Sequence, residues 1–232
     1  MDFVYICRTG RNEELRYSLR SLYRNVDVNN VWVVGGKPDW YRGNFIPVQQ
    51  VASKYASARA NLRAIVESSS IPNNFVLMND DFFITKKISK IPIYHGGSLE
   101  EKAISYKQYK ASSHHATVLL KTVQMLKENG VPSPLDYSLH VPLPIVKENF
   151  GNAVEMGGAI RSVYGNMNRI GGRKLPVHDV KVHFKSLMYP ESFDYLNNEH
   201  DLPFVSSSDR TFKYLYQSIL RQYSSAAPVE RV

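Results

Sequence analysis

The sequence has one cysteine, no apolar run of membrane-spanning length and no long low-complexity segment. A single cysteine cannot form a disulfide within the chain, which excludes a disulfide-rich scaffold and makes a reducing compartment the expectation. Met1 and Asp2 lead directly into an apolar run, without the basic segment that begins a secretory signal. We therefore expect a soluble, cytoplasmic protein with no membrane span.

Acidic residues are fewer than basic ones: the 232-residue chain has 21 Asp and Glu against 29 Lys and Arg, a net charge of +8. This excess favours a polyanionic partner such as nucleic acid, an anionic polymer or a nucleotide diphosphate, although many basic proteins bind none of these. The length fits one domain with its own core, and we predict a single domain over residues 1–232.

The clearest local feature is an apolar strand that ends in two adjacent carboxylates. Phe75–Met78 is wholly apolar and is followed by Asn79, Asp80 and Asp81. Ligands of open α/β sheets bind beyond the carboxyl ends of such strands, and neighbouring aspartates repel each other unless a cation lies between them. The pattern indicates a divalent metal that also binds a diphosphate. The alternative is that Asn79 and Asp80 only turn the chain.

Hydrophobic periodicity predicts an α/β fold with a mainly parallel sheet. Expected strands are Phe3–Cys7, Val31–Val34, Phe45–Val48, Phe75–Met78, an edge strand with two prolines within Asp136–Ile145, and a strand from Val180 to Lys185. Expected helices include one capped by Asn12, one from Tyr55 to Val66, one from His114 to Asn129 capped by Ser112 and Ser113, and one capped within Ser206–Asp209. Residues 224–232 are expected to fray.

Further candidates for ligand binding lie near the ends of the strands and the starts of the helices. They are Arg8, Thr9, Glu14, Arg16, Arg59 and Asn61. Arg59 and Asn61 would place a guanidinium and an amide beside the free N–H groups of a helix start, which suits a diphosphate. Arg59 as an ordinary surface arginine, and Arg16, Arg20 and Arg24 as a solvated basic row, are the competing interpretations.

Histidines supply candidate bases. His114 and His115 fall in the first turn of a predicted helix, where the helix dipole opposes positive charge and one of them would be neutral and able to accept a proton. His140 lies on the other side of the predicted edge strand from Leu139 and Val141. The alternative is that His115 and His140 are both structural.

Basic and aromatic residues alternate after residue 84. Lysines from Lys86 to Lys110 are interleaved with Tyr94, Tyr106 and Tyr109, and a strand face carries Lys181, His183 and Lys185. Such surfaces suit phosphates and stacked bases. The alternative is a mobile loop with a solvated positive face.

The stretch Asn12-Glu13-Glu14-Leu15-Arg16-Tyr17-Ser18-Leu19-Arg20-Ser21-Leu22 closely resembles the second conserved region of the Stealth family, the sugar-phosphate transferases of capsule synthesis and lysosomal-enzyme tagging. The order from Phe3 to Phe83 also matches: a valine-rich strand, Gly36-Lys37-Pro38-Asp39-Trp40, a small-residue helix and a strand ending in Asn-Asp-Asp. Later likeness is thin and consists of His114-His115 and Ser208-Asp209-Arg210. The opening strand departs from the capsule enzymes, since it ends in Cys7-Arg8-Thr9-Gly10 where they have a Trp-Val-Asn/Asp-Gly-type sequence.

In size, basicity and the motifs Leu139–Leu143 and Asp179–Lys181, the chain is more similar to phage-encoded relatives. These include the glycosyltransferases associated with phage TET dioxygenases, which glycosylate hydroxymethylated cytosine in DNA. A phage-encoded protein of this kind would act in the host cytoplasm.

The resemblance implies a glycosyltransferase type A-like, Rossmann-like mixed sheet flanked by helices. Residues 1–84 would form the nucleotide-sugar-binding half and residues 85–223 the acceptor-facing half. Asp80 and Asp81 would hold Mn²⁺ or Mg²⁺ on the diphosphate of a UDP-sugar, and Arg59 would stabilise the leaving group.

The acceptor implied is a 5-hydroxymethylpyrimidine of DNA. A primary alcohol needs a base, for which His115 is the first candidate and His140 the alternative. Glu14, Arg8 and Asn61 would contact the sugar or the nucleotide. A base inside a duplex would be flipped out to reach the site. Two other functions stay open: a Stealth-type hexose-1-phosphate transferase acting on a cell-surface glycan, and a non-catalytic nucleic-acid-binding protein.

Overall fold

The computed structural model describes residues 1–51, 53–109, 114–182 and 201–231. The chain divides into two compact units, the first made of Met1–Ile91, His140–Ile145 and Val180–Val232, and the second of Pro92–Leu139 and Val146–Asp179. The first unit therefore includes a returning strand and the C-terminal helix, which the sequence had assigned to the acceptor-facing half.

The described elements follow one another as strands and helices in mixed order. They are β1 (Asp2–Cys7), α1 (Glu13–Asn25), β2 (Asn30–Gly35), β3 (Asn44–Pro47), α2 (Lys54–Glu67), β4 (Asn74–Asn79), β5 (Phe82–Ile84), β6 (Tyr94–His95), α3 (Leu99–Tyr109), α4 (His114–Glu128), β7 (Leu143–Val146), α5 (Lys147–Met156), α6 (Ile160–Met167), β8 (Arg173–Lys174), β9 (Phe204–Ser206) and α7 (Asp209–Gln222).

A five-stranded sheet of order β3-β2-β1-β4-β7 forms the centre of the first unit. β1 pairs in parallel with β2 and with β4, and β2 pairs in parallel with β3. Tyr5, Val33 and Met78 are fully buried, because a strand covered on both faces requires apolar side chains throughout. The register places Ile6 opposite Asn79, so the residues that follow β1 and β4 meet at one edge of the sheet. The predicted mixed sheet flanked by helices is confirmed.

Helices α1 and α7 begin at the predicted caps. The Asn12 side chain accepts the N–H of Leu15, and Ser208 forms a reciprocal capping box with Thr211. Buried side chains of α1, β5, β9 and α7 form one apolar cluster, which includes Tyr17, Phe83, Val205, Leu215 and Ile219. This packing holds α7 against α1 and the β5–β9 pair.

The edge strand is shorter than predicted. β7 starts only at Leu143, because the residues from Asp136 to Ser138 bond to the second unit's own loops and helices instead. β7 does lie at the sheet edge beside β4, as its proline content requires. The segment after residue 84, for which a mobile loop was the alternative, contains β6 and α3.

The C-terminal segment expected to fray is packed instead. Ala227 is buried, and the N–H of Arg231 donates to the carbonyl of Trp40 over 2.7 Å. Both carboxylate oxygens of Glu230 accept from Arg20, each over 2.7 Å. A nearly enclosed carboxylate needs such cationic partners, and these long-range pairs hold the segment in place.

In the second unit, apolar residues of α3 and α4 form the core, among them Leu99, Leu119 and Leu126. Short strands β6 and β8 pair in parallel. Of the predicted features, the caps Ser112 and Ser113 and the residues His183 and Lys185 lie outside the described residues. Among the described helices, none has the length and apolar character needed to cross a membrane.

Candidate active site

A cleft of about 380 Å³ opens in the first unit at the carboxyl ends of β1 and β4. Loops that follow these strands, and the starts of α1, α2 and α7, supply its walls. The lining residues are Ile6, Cys7, Arg8, Glu14, Gln50, Tyr55, Ser57, Ala58, Asn61, Asn79, Asp80, Asp81, Lys181, Ser208 and Asp209. The structure therefore brings together six of the predicted residues, namely Arg8, Glu14, Asn61, Asn79, Asp80 and Asp81.

Asp80 follows β4 and faces the cleft. The Nδ2 atom of Asn12 donates to its Oδ2 over 2.7 Å. Loss of solvation and the neighbouring charge of Asp81 raise the pKa of Asp80 to about 6, although the Asn12 hydrogen bond and Arg8 act in the opposite direction. A cation beside Asp80 would therefore stabilise its ionised form.

Asp81 completes the carboxylate pair. Its Oδ2 accepts from Nζ of Lys181 over 3.0 Å, while its buried Oδ1 has no hydrogen-bond partner among the described residues. An orphaned, buried carboxylate oxygen beside a second carboxylate fits a hard divalent cation. In the part of the chain that the structure describes, no three or more His, Cys, Asp or Glu side chains are arranged to hold a metal ion by themselves, so water and a ligand's phosphates would complete the coordination, as Mg²⁺ prefers.

Glu14 lies in the first turn of α1, with its side chain in the cleft. Ser207 donates its hydroxyl to Oε1 of Glu14 over 2.8 Å. Burial, together with the charges of Asp80 and Asp81, raises the pKa of Glu14 to about 7. Glu14 can therefore either donate or accept a hydrogen bond to a ligand near neutral pH.

Arg8 follows β1 and supplies a cation at the cleft mouth. Its Nη2 lies 3.2 Å from Oδ1 of Asp209, and both side chains are largely exposed. Burial lowers the pKa of Arg8, but the charges of Asp209 and Asp80 raise it by more, so the net shift is upward and the guanidinium stays charged. Cys7, by contrast, is no nucleophile, because burial raises the pKa of its thiol to about 12.

Asn61 and Gly35 pack where β1 and β2 end. The Asn61 amide is buried, donating weakly to the carbonyl of Cys7 at 3.4 Å and accepting from Gln50 at 3.0 Å. A side chain at Gly35 would collide with that amide, and its φ of 119° favours glycine. Tyr55, which is 54% exposed, lies further along the lining on α2.

Five predicted site residues lie outside the cleft lining: Thr9, Arg16, Arg59, His115 and His140. The guanidinium of Arg16 lies over the Trp40 ring, with Cζ 4.7 Å from the ring centroid, and its Nε is 3.6 Å from Oε2 of Glu230. These two contacts hold it outside the cleft lining. Thr9 and Arg59 are exposed. His140 lies edge-on to Phe82 at 6.4 Å in the first unit, and His115 lies edge-on to Tyr106 at 5.0 Å in the second.

Asn12, Lys181, Ser207 and Asp209 contribute to the site but were not predicted as members of it. Asn12 was recognised only as a helix cap, and Lys181 was assigned to a nucleic-acid-binding strand face, whereas its amine binds Asp81. The polar run Ser206–Asp209 was the one available signal, since a helix start rich in serine and aspartate also suits a site.

No protein-family model matches the chain, and no curated protein matches its sequence. The fold matches that of LgtC, a galactosyltransferase crystallised with donor and acceptor sugar analogues, with a TM-score of 0.52 and 12% identity over 100% of this chain and 98% of that one. The apo-form glycosyltransferase GlyE of Streptococcus pneumoniae TIGR4 matches with a TM-score of 0.45 and 10% identity, over 96% of this chain and 61% of that one. The likeness to LgtC identifies a glycosyltransferase type A fold.

Proposed function

We propose that this chain is a metal-dependent glycosyltransferase that moves a sugar from a UDP-sugar to a hydroxyl acceptor. The observation that carries the proposal is the pair Asp80 and Asp81 in a cleft at the carboxyl ends of parallel strands. A glycosyltransferase type A fold supports it, as does the description of LgtC as a galactosyltransferase with bound donor and acceptor analogues.

Asp80 and Asp81 would hold Mn²⁺ or Mg²⁺, which supplies positive charge beside the departing diphosphate when bound. Arg8, in the cleft wall, adds a permanent positive charge for the same diphosphate. Arg59, to which the sequence assigned this role, lies outside the lining. Arg8 is therefore the better candidate.

Glu14 would orient the donor sugar. Its carboxyl lies in the lining, and Ser207 holds one oxygen, which leaves the other for a sugar hydroxyl. Because burial raises the pKa of Glu14 to about 7, the group can donate or accept that hydrogen bond near neutral pH.

The acceptor we propose is the hydroxymethyl group of a modified pyrimidine in DNA, with His115 or His140 as its base. The net charge of +8 supports a polyanionic acceptor. The strand face of Lys181, His183 and Lys185 supports a DNA acceptor less than expected, because Lys181 binds Asp81, and His183 and Lys185 lie outside the described residues. His140 belongs to the same unit as the cleft, and Phe82, beside its ring, follows Asp81 directly in the chain.

The test incubates the protein with a panel of UDP-sugars and Mn²⁺, Mg²⁺ or a chelator. Plain DNA, hydroxymethylated DNA and an anionic glycan serve as separate acceptors, followed by digestion and mass analysis. Metal-dependent addition of a sugar to hydroxymethylated nucleosides is the expected result. A product heavier by one phosphate would identify hexose-1-phosphate transfer, and steeply salt-dependent DNA affinity without any donor turnover would identify a non-catalytic binding protein.

A further inference from the structure

The side chain of Asn12 makes two kinds of hydrogen bond at once. Its Oδ1 accepts the N–H of Leu15 over 3.0 Å and so caps α1. Its Nδ2 donates to Oδ2 of Asp80 over 2.7 Å and to the sulfur of Cys7 over 3.2 Å. One amide therefore joins a helix start to the carboxylate after β4.

The orientation of this amide follows from its neighbours. The Leu15 N–H can only donate, and the ionised Asp80 carboxylate can only accept. A flipped amide would place N–H against N–H and oxygen against carboxylate oxygen. The Asn12 donor therefore faces Asp80, and its hydrogen bond to an ionised acceptor belongs to the stronger, charge-assisted kind.

The backbone conformation of Asn12 and its place in the chain both favour its hydrogen bond to Asp80. Asn12 adopts a left-handed conformation with φ of 45° and ψ of 69°, which asparagine tolerates better than most residues. The preceding carbonyl, of Arg11, accepts from the Trp40 indole over 2.8 Å, which fixes the approach of the loop. Cys7 and Asp80 are the positions next to the paired residues Ile6 and Asn79, so Asn12 bridges the ends of two adjacent strands.

We propose that Asn12 is a positioning residue for the metal-binding carboxylate: by engaging Oδ2 of Asp80 it sets the plane of the carboxyl group and directs the remaining oxygen to the cation. This inference rests on the proposed function, because it takes Asp80 as a metal ligand. Partners that orient metal-binding side chains commonly contribute 10- to 100-fold to metal affinity, as a rough range. Asn12 then has two separable roles, which are orienting Asp80 and capping α1.

Substitution of Asn12 by serine separates the tasks. Serine ranks with asparagine as a helix cap but tolerates the left-handed φ of 45° less well, and its hydroxyl, one bond from the β-carbon, is too short to cap the helix and also reach Asp80. Asn12→Gly is the companion variant, since glycine adopts positive φ without strain and lacks any donor. The matched control is Asn25→Ser at the other end of α1, where the amide donates to Ser21 and Ile84 carbonyls and touches no site residue.

The readout is the Mn²⁺ dissociation constant without donor, measured by electron paramagnetic resonance of free Mn²⁺, beside the thermal unfolding midpoint. We expect Asn12→Ser and Asn12→Gly to fold and to bind Mn²⁺ about 10- to 100-fold more weakly. Asn25→Ser is expected to unfold at a lower temperature while binding Mn²⁺ like the parent protein.

Unchanged Mn²⁺ affinity in a folded Asn12 variant would reduce this residue to a helix cap and overturn the proposal. Absence of Mn²⁺ binding in the parent protein would overturn it as well. Mn²⁺ binding that depends on Asn12 in a protein that transfers no sugar would instead reject the proposed function and leave the positioning role in place.

Discussion

Asp136 in the second unit and Asp81 in the first are both largely enclosed carboxylates beside a lysine, yet their remaining oxygens differ. Asp136 accepts from Lys102 over 2.5 Å at Oδ2, and from the Ser138 N–H over 2.9 Å and the Ser162 hydroxyl over 3.4 Å at Oδ1. Asp81 has Lys181 at Oδ2 but, among the described residues, nothing at Oδ1. A buried carboxylate whose two oxygens both have hydrogen-bond partners stabilises the fold, whereas one with an unpartnered oxygen is suited to bind a ligand.

The strongest way to break this comparison is to neutralise the cleft carboxylates. Asp80→Asn and Asp81→Asn are each expected to reduce metal-dependent donor turnover by about 1000-fold, because an amide gives the cation no negative charge. Stability should hold or rise in Asp80→Asn, since the mutual repulsion of the two carboxylates is removed, whereas Asp81→Asn also leaves the Lys181 ammonium without its counter-charge and should lose some stability. Steady-state turnover with each metal and the thermal midpoint are the measurements. Full turnover in both variants would reject the metal site.

The same substitution in the second unit should have the opposite outcome. Asp136→Asn leaves the Lys102 ammonium without its counter-charge, and breaking such an enclosed pair costs about 3–5 kcal/mol of unfolding free energy. Chemical denaturation measures the loss. Adding Lys102→Met to Asp136→Asn should recover part of it, and Mn²⁺ affinity should stay at the parent value in any folded variant. A stability cost near zero would show that the pair is not structural.

The pH dependence of stability sharpens the comparison. Burial raises the pKa of Asp80 from 3.8 to about 6 and that of Glu14 from 4.5 to about 7. The folded chain then holds more protons than the unfolded chain between about pH 4 and 7, so the unfolding free energy of the metal-free protein falls as the pH rises through this window.

Denaturation at a series of pH values measures this fall. Excess Mn²⁺ should flatten it, because the cation binds the ionised carboxylates, and Asp80→Asn should reduce the slope. Stability that increases with pH across the same window in metal-free protein would contradict the raised pKa values.

The smallest expected effect concerns Lys181, which donates to Asp81. Lys181→Met removes a cation that competes for Asp81 and should strengthen Mn²⁺ binding without donor about 2- to 5-fold, as expected for a partly exposed ion pair. Lys127→Met is the matched control, because Lys127 pairs with Glu100 in the second unit. Weaker Mn²⁺ binding in Lys181→Met would mean that the lysine supports the site instead of competing for it.

Local sequence was sufficient to predict the four parallel strands β1 to β4 and, to within one residue, the positions at which they end. A wholly apolar run such as Phe75–Met78 and a cap such as Asn12 depend on neighbours a few residues away. Since the ends of adjacent parallel strands meet at one edge, Arg8, Asn79 and Asp80 could be placed together before any tertiary contact was known.

Residues used by distant partners could not be assigned in this way. Arg16 fitted a site near the first strand equally well, but Trp40 and Glu230 hold its guanidinium elsewhere. The tail that carries Glu230 was expected to fray, as terminal residues commonly do. Its burial depends on arginines about two hundred residues earlier, and no local pattern records such a pairing.

By itself, then, the sequence determined the apolar strands, the helix starts and the adjacent carboxylates of Asp80 and Asp81, because these follow from short-range periodicity and chain order. Only the tertiary structure decided which cations and hydroxyls surround those carboxylates. Lys181 reaches Asp81 across 100 residues, and Ser207 reaches Glu14 across 193. Contacts closed over such loops are selected by the packing of the whole unit, which no sequence window contains.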